Sequence, residues 1–390
     1  MTSWKEVFAM DFQLTEEQQK FRDMVRDFAR KEIEPIAERI DVNEEYPLEI
    51  IKRLGELGIM GITVDEKYGG SGNDCIHWCI AMEEVACVSA AVSTIMDTSG
   101  GAGLTCHAIN AYGNEEQKKR YLSPLARGEK IGSFALTEAN AGSDAAAGET
   151  TAVKDGNSYV LNGTKTFISN ANYADTFVIF ATKDKSLGYK GMSVFIAEKG
   201  TPGLSIGTVY HKLGIRAAHN AEIILEDCRI PAENLLGEEG RGFGIALGTL
   251  DVCRIGIAAQ AVGIARASLE AAISHMKERV QYGQPIIKFQ GLQWRLVDIA
   301  ERIDAARLLT LRAADLKDKG LRFTTEAAMA KDFASEIAMK AATEGIQMLG
   351  GYGYMMDSPV QRYFRDAKIT QIYEGTAEIM KVVIARNILR

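Results

Sequence analysis

The sequence predicts an α+β multidomain chain: an N-terminal helical domain over 10–130, a central antiparallel β domain (sandwich or barrel) over 131–240, and a C-terminal four-helix bundle over 241–390. Three observations predict it. Apolar residues recur at helix spacing from Thr15 to about Gly128. Short β-rich runs bounded by turn residues fill Ile131 to Leu236. Long helical patterns then return from Phe243 to Arg390.

Taken in order, Thr15-Glu-Glu-Gln18 is a capping box, and Phe21, Val25, Phe28 and Ile33 follow on one helix face until Pro35. Further helices are expected over Leu48 to Leu57 and Ile76 to about Met96, separated by the Tyr68-Gly-Gly-Ser-Gly72 loop. In the β region, Tyr159-Val-Leu161 ends at Asn162-Gly163, the strongest short hairpin signal, and Asp155-Gly156 precedes it. Thr176 to Ala181, Met192 to Ile196 and Ala221 to Leu225 are further strands. No long helices alternate with them, which excludes a doubly wound sheet. Long helical segments near 245–281, 289–319, 324–349 and 376–389, joined by short connections, imply an antiparallel bundle.

The 390 residues are 46% hydrophobic and 25% charged, which excludes a disordered chain or a small disulfide scaffold. Lys plus Arg is 45 against 52 Asp plus Glu, a net charge of −7. Such a balance offers no general field for nucleic acid or an anionic membrane surface. The six cysteines, Cys75, Cys79, Cys87, Cys106, Cys228 and Cys253, read as buried apolar side chains in a reducing compartment. Cys75-Ile-His77-Trp-Cys79 resembles a metal-ligand triplet, but on a helix His77 points away from the cysteines, so no metal is expected. Met1 to Met10 has no signal-peptide or transit pattern, and the longest apolar stretch, Ile255 to Ala265, is too short to span a bilayer. A soluble, cytoplasmic protein is predicted.

No Gly-x-Gly-x-x-Gly follows a strand and no Gly-Lys-[Ser/Thr] occurs, so dinucleotide and P-loop readings lose their support. Gly237 to Gly244 is Gly-rich but reads as a flexible interdomain loop. Phe134 to Asp144 carries hydroxyls at Thr137 and Ser143, and Thr166-Phe-Ile-Ser-Asn170 pairs an aromatic with a hydroxyl. Each alone is an ordinary strand and turn; together they supply the apolar face and polar edge that a flat heteroaromatic cofactor needs. Glu374 stands just ahead of the last helix, followed by Gly375, with Thr376 as its cap. Exposed, Glu374 is a helix-start charge; buried, it has a raised pKa and suits carbon-acid proton abstraction.

Seven segments together are similar to the acyl-CoA dehydrogenase family: Phe134 to Asp144, Thr166 to Asn170, Leu213 to Arg216, Asp227 to Pro231, Glu278 to Gly283, Gln347 to Gly353 and Ile372 to Thr376. They occur in that family's order over nearly the whole chain, and the family's helical–β–helical layout agrees with the periodicity. The resemblance implies FAD, contacted by Phe134, Leu136, Thr137, Gly142 and Ser143 of the β domain. Phe167 and Ser169 stand where relatives usually have Trp and Thr against the flavin. Arg279, Gln281, Gln290, Gln347, Gly350 and Gly351 match residues holding the FAD of a neighbouring subunit, which implies a homotetramer. Thr376 and Glu378 match contacts to the rest of that cofactor. Ser143, Asp251, Arg254 and Gly375 match positions that meet the acyl-CoA, and Glu374 matches the catalytic base. The implied reaction removes the α-proton to Glu374 and the β-hydrogen as hydride to flavin N5, giving the α,β-unsaturated thioester. The implied electron acceptor is electron-transfer flavoprotein.

Ser93 to Cys106 matches the wall of the acyl pocket in that family and departs from its straight-chain pattern. Gly100, Gly101, Ala102 and Gly103 replace larger side chains, which predicts a wider pocket. Asp97 stands where a small or apolar residue is usual, and is either a solvated helix-end carboxylate or a second catalytic acid–base group beside a broad acyl chain. The second alternative points to an alicyclic substrate of cyclohexanecarboxyl type. Butyryl or short branched acyl chains, the enoyl-CoA reductase direction and a non-catalytic flavoprotein are the rival readings. A glutaryl chain is disfavoured, because Ile95 replaces an Arg and Asp97 would repel a carboxylate.

Overall fold

The computed structural model describes residues 13–389; the expected absence of a leader in Met1 to Met10 concerns residues outside that range. Helix α1 (Glu16–Phe28) opens on the capping box: Gln18 N donates to Thr15 Oγ1 at 3.2 Å, and Thr15 N donates to Gln18 Oε1 at 3.1 Å. The helical path does not stop at Pro35. A π turn (Ala29–Ile33) and a 3-10 turn (Glu34–Ile36) carry it into α2 (Ala37–Val42), and Pro35 sits in the first turn of the 3-10 segment, where its missing N–H costs nothing. After α3 (Leu48–Glu56), the single helix expected over 76–96 is two, α4 (Cys75–Ala86) and α5 (Ala90–Ser99). Ser89 starts the second one by accepting from Val92 N. Then come α6 (Leu104–Tyr112) and the short α7 (Glu115–Gln117) and α8 (Ser123–Ala126).

The central unit is one seven-stranded sheet: β1 (Gly132–Ala135), β2 (Thr151–Asp155), β3 (Ser158–Ser169), β4 (Thr176–Thr182), β5 (Met192–Glu198), β6 (Leu204–Val209) and β7 (Asn220–Pro231). Its order is β1-β4-β2-β3-β7-β6, with β5 also on β4. The pairings of β4 with β1 and β2 are parallel, so the sheet is mixed where a wholly antiparallel one was expected. All seven residues of β4 are buried because both faces are covered: Phe177 and Ile179 enter one core, Val178 and Phe180 another.

The β2–β3 turn is at Gly156-Asn157, and Asn162-Gly163 is not a hairpin turn. It lies inside β3 as a bulge, where the register with β7 slips between Leu161 and Gly163. Asn162 donates to Asp227 Oδ1 and accepts from Asp227 N, and a Cβ on Gly163 would come within 2.6 Å of Thr150 Oγ1. Tertiary fit overrides the local turn signal here.

The C-terminal unit holds α9 (Gly242–Glu278), a small hairpin of β8 (Val280–Gln281) and β9 (Gln284–Pro285), α10 (Gln290–Asp318), α11 (Thr324–Leu349), α12 (Pro359–Ile369) and α13 (Ala377–Ile388). Helix α12 was not anticipated. Helix α9 is, among the described residues, the one helix long and apolar enough to cross a membrane, but 78% of its apolar window is buried inside the fold. It packs on α4, α5, α10 and α11, so one hydrophobic core joins the N-terminal helices to the bundle.

Candidate active site

Glu374 sits in the turn between α12 and α13 with φ 53°, followed by Gly375 at φ 99°. Two consecutive residues in the left-handed region reverse the chain sharply, and a non-glycine residue there is strained. Three contacts hold the turn. Arg254 Nε of α9 donates to the Glu374 carbonyl at 3.1 Å, Lys331 Nζ of α11 donates to the Gly375 carbonyl, and Thr376 Oγ1 caps α13 by accepting from Ile379 N. Arg254 is itself oriented by Asp251 at 2.7 Å, and Asp251 accepts from Thr324 Oγ1 at 2.8 Å.

Glu374 is half-buried, with its Oε2 shielded from solvent, so the exposed helix-start alternative falls. Asp97 is fully buried, on α5, which removes its solvated alternative. The side-chain ligand atoms of Asp97, Glu374 and Cys253 all lie within 4.8 Å of one another. Burial raises the pKa of both carboxyls. The charge of Glu374 pushes Asp97 up further, well above the carboxylate range. For Glu374, the proton on Asp97 and the cations Lys331 and Arg254 offset part of the rise. Asp97 is therefore the neutral member of the pair and Glu374 the one that ionises. Asp97 Oδ1 and Glu374 Oε2 have no hydrogen-bond partner in the protein. Such orphaned buried oxygens in one place mark a binding site for a polar ligand atom.

Helix α5 is locked in place from behind. Gln260 Nε2 of α9 lies within 3.0 Å of the Ala90 carbonyl and of the Ser93 and Thr94 hydroxyls, and its Oε1 accepts from Tyr373, beside the base. Gly256 makes room for Asp97, since a Cβ there would stand 2.5 Å from Oδ1 and 2.9 Å from Trp78 Nε1.

The glycines after Asp97 do not open a wide pocket, contrary to expectation. A Cβ on Gly100 would meet Met60 at 2.7 Å, one on Gly101 the Trp78 ring at 2.2 Å, and one on Gly103 the Asp97 carbonyl at 1.9 Å. Ala102 is buried. These small residues permit close approach of α4 and the Met60 segment, and protein atoms already fill the space.

On the β domain, Phe167 has φ 59° and is 61% exposed, its ring 4.9 Å from Tyr210. Ser169 Oγ accepts from Asn220 Nδ2 at 3.0 Å. The Thr137 carbonyl accepts from Thr166 N, which binds the two cofactor-candidate segments together, and Gly142 and Ser143 are exposed on the turn beyond. An exposed aromatic face beside hydroxyls fits the flavin of FAD. Phe134 departs from the expected contact: its ring is in the core, 4.8 Å from Phe180, leaving only its backbone for a ligand, and Leu136 packs partly against the same core.

Arg279, Gln281, Gln347, Gly350 and Gly351 line one cleft of about 500 Å³ together with His275 and Tyr352. Gln290 opens α10 outside that lining. Thr376 and Glu378 line a different cleft of about 390 Å³. Within one chain these clefts are separate from each other. The six cysteines are buried and free, and His77 Nδ1 pairs with Asp74 at 2.6 Å while Cys75 and Cys79 sit in the core.

Sequence reasoning missed Trp78, Gln260 and Lys331. The last carried a signal: Lys331 falls on the stripe of Ala327, Ala334 and Ala338, and a cation on a buried face demands a partner.

Three family models match the chain: the acyl-CoA dehydrogenase N-terminal domain over residues 15–129, the middle domain over 133–228 and the C-terminal domain over 240–389. The short-chain-specific acyl-CoA dehydrogenase of Clostridium acetobutylicum is 51% identical over 98% of this chain and all of its own length. Butyryl-CoA dehydrogenase from Megasphaera elsdenii superposes with a TM-score of 0.95 at 45% identity, covering 98% of this chain and all of that one. A chain solved in work on the electron transferring flavoprotein of Acidaminococcus fermentans superposes with a TM-score of 0.96 at 48% identity, with the same coverage. The chain belongs to the acyl-CoA dehydrogenase family and is an FAD-dependent oxidoreductase.

Proposed function

We propose that this enzyme desaturates short straight-chain acyl-CoA thioesters of butyryl size, with Glu374 as the α-proton base and electron-transfer flavoprotein as the electron acceptor. The observation that carries the reading is the Glu374 carboxyl, half-buried with its Oε2 shielded and held ionisable between Lys331, Arg254 and a neutral Asp97. The filled space around Gly100 to Gly103 supports a small acyl group, as do the short-chain relatives. Glu374 takes the α-proton, and the developing enolate needs hydrogen bonds at its oxygen. Backbone carbonyls 374 and 375 are turned inward to Arg254 and Lys331, which leaves the opposite side of those peptides to the ligand. Bound FAD supplies the hydride acceptor. Phe167, Thr137 and Ser169 would hold it on the β domain. The Arg279–Gly351 cleft would hold the cofactor of a second subunit, which makes the working form an oligomer, a tetramer by family likeness.

A second reading has its own support. The buried, neutral Asp97 beside the base is a second acid–base group that can donate a proton or a hydrogen bond, and it is the feature that favours an alicyclic acyl-CoA. Anaerobic titration of the yellow protein separates the two. Faster bleaching of flavin absorbance by butyryl-CoA than by cyclohexanecarboxyl-CoA supports the first reading, and the reverse order replaces it with the second. Glu374→Gln should keep bound FAD and lose turnover about a thousandfold; near-normal turnover would reject the base.

A further inference from the structure

Lys331 is fully buried on the Ala-rich face of α11, and its ammonium donates to a carbonyl of the very turn that presents the base. With Arg254 on the Glu374 carbonyl and Lys331 on the Gly375 carbonyl, two cations from two helices hold successive peptides. Gly375 takes positive φ freely as a glycine, but Glu374 at φ 53° is strained and depends on such support.

We propose that Lys331 is a positioning residue for catalysis, which fixes the Glu374–Gly375 turn through the Gly375 carbonyl and sets a positive charge beside the Glu374 carboxylate. This deepens the reading of Glu374 as base and rests on it.

The charged surroundings support both parts. Lys331 faces Glu374 from the turn, Arg254 with its partner Asp251 from α9, Asp332 on its own helix and Glu378 from α13. Asp332 is engaged by Lys381, and Glu378 is an exposed helix-start charge, so the half-buried Glu374 is the anion that the ammonium serves. Glu374 also faces Asp97 from α5, which is neutral, and the thiol of Cys253, whose pKa burial pushes well up. Lys331 itself is lowered to about 8 by burial, opposed by Glu374, so it stays charged at neutral pH.

The test uses purified holoenzyme and (methylthio)acetyl-CoA, which has α-hydrogens but no β-hydrogen to donate. Deuterium uptake at its α-carbon in D₂O reads the base alone, without oxidation. Lys331→Gln keeps a donor for Gly375 but no charge. Its exchange profile should move to higher pH by about one unit, about tenfold slower on the acid side. Lys331→Arg keeps the charge and should stay near the wild-type profile. A merely structural lysine would lower stability and FAD retention in both variants and leave the profile in place, which overturns the proposal. So does a Lys331→Arg profile displaced as far as that of Lys331→Gln. If Lys331→Gln does not yield yellow protein, Lys331→Ala, suited to the Ala-rich stripe, is read in the same way. If the wild-type enzyme itself exchanges no α-hydrogen, the base reading fails, and this proposal with it; exchange in wild type with unchanged variants removes this proposal alone.

Discussion

Asp97 and Glu374 bring their carboxyl oxygens within 4.8 Å of each other, Asp97 fully buried and Glu374 half-buried, and a charge on Glu374 raises the cost of ionising Asp97. Two adjacent anions in a low-dielectric interior repel too strongly to coexist. Which one ionises is decided by what stands behind each: Glu374 has Lys331 and Arg254, whereas Asp97 has the indole of Trp78 and the backbone at Gly256.

That sorting predicts how Asp97 variants behave. Asp97→Asn stays neutral and can still donate, so the acid limb of kcat/KM should lie within about half a pH unit of wild type. Asp97→Leu removes the donor and should move the limb upward. Loss of all activity in Asp97→Asn with butyryl-CoA would show that Asp97 transfers a proton itself.

The same burial has a stability consequence of definite sign. The Asp97 pKa is raised on folding, so its contribution is fully present below the unfolded carboxyl value and is lost as pH rises. Thermal melts should therefore show Asp97→Asn gaining over wild type at pH 8 and not at pH 4.

Asp366 gives a second, better-bounded case. It accepts from Ile215 N at 2.5 Å, and burial lifts its pKa from 3.8 to about 6. Stability from this group is present below 3.8 and declines until pH passes about 6. Asp366→Asn, whose amide oxygen still accepts, should match wild type at pH 3.5 and exceed it in melting temperature at pH 7.5.

Gly101 has φ 57°, and a Cβ there would overlap the Trp78 ring. Gly101→Ala should destabilise by about 2–3 kcal/mol through strain and overpacking, read as a fall in melting temperature of several degrees. A neutral result would reopen the wide-pocket expectation.

Lys165 and Glu138 form a buried pair at 2.7 Å. Glu138 also accepts from the N–H groups of Glu149 and Thr150, and Lys165 donates to the Leu136 carbonyl, so the pair closes the loop bearing Gly142 and Ser143. Lys165→Met strands a buried carboxylate and should cost about 3–5 kcal/mol. Measured by gel filtration, it should also release FAD; a yellow, equally stable variant would contradict this role.

The helical–β–helical layout was legible because the hydrophobic period changes twice along the chain, and periodicity reports burial directly. Glu374 was legible because a carboxylate before a capped helix stood inside a familiar run of motifs. The misreadings share one physical origin. Asn162-Gly163 as a hairpin and Gly100 to Gly103 as empty space were judged by local character, whereas Asp227 across the sheet and Trp78 across the helices decide them. The parallel pairings of β4 depend on strands far apart in sequence, and no local pattern encodes them. Lys331 is marked in the sequence as one charge on a stripe of alanines at helix spacing, Ala327, Ala334 and Ala338.

Helix α9 carries Asp251, Arg254, Gly256, Gln260 and Arg266 on a single rod of 37 residues. At about 100° of rotation per residue, inserting one amino acid between Gly256 and Gln260 would swing the Gln260 lock off α5 while leaving Arg254 on its carbonyl. Such a variant would uncouple the two walls of the reaction chamber. The residue spacing along that rod thus matters to the site as much as the identity of the base.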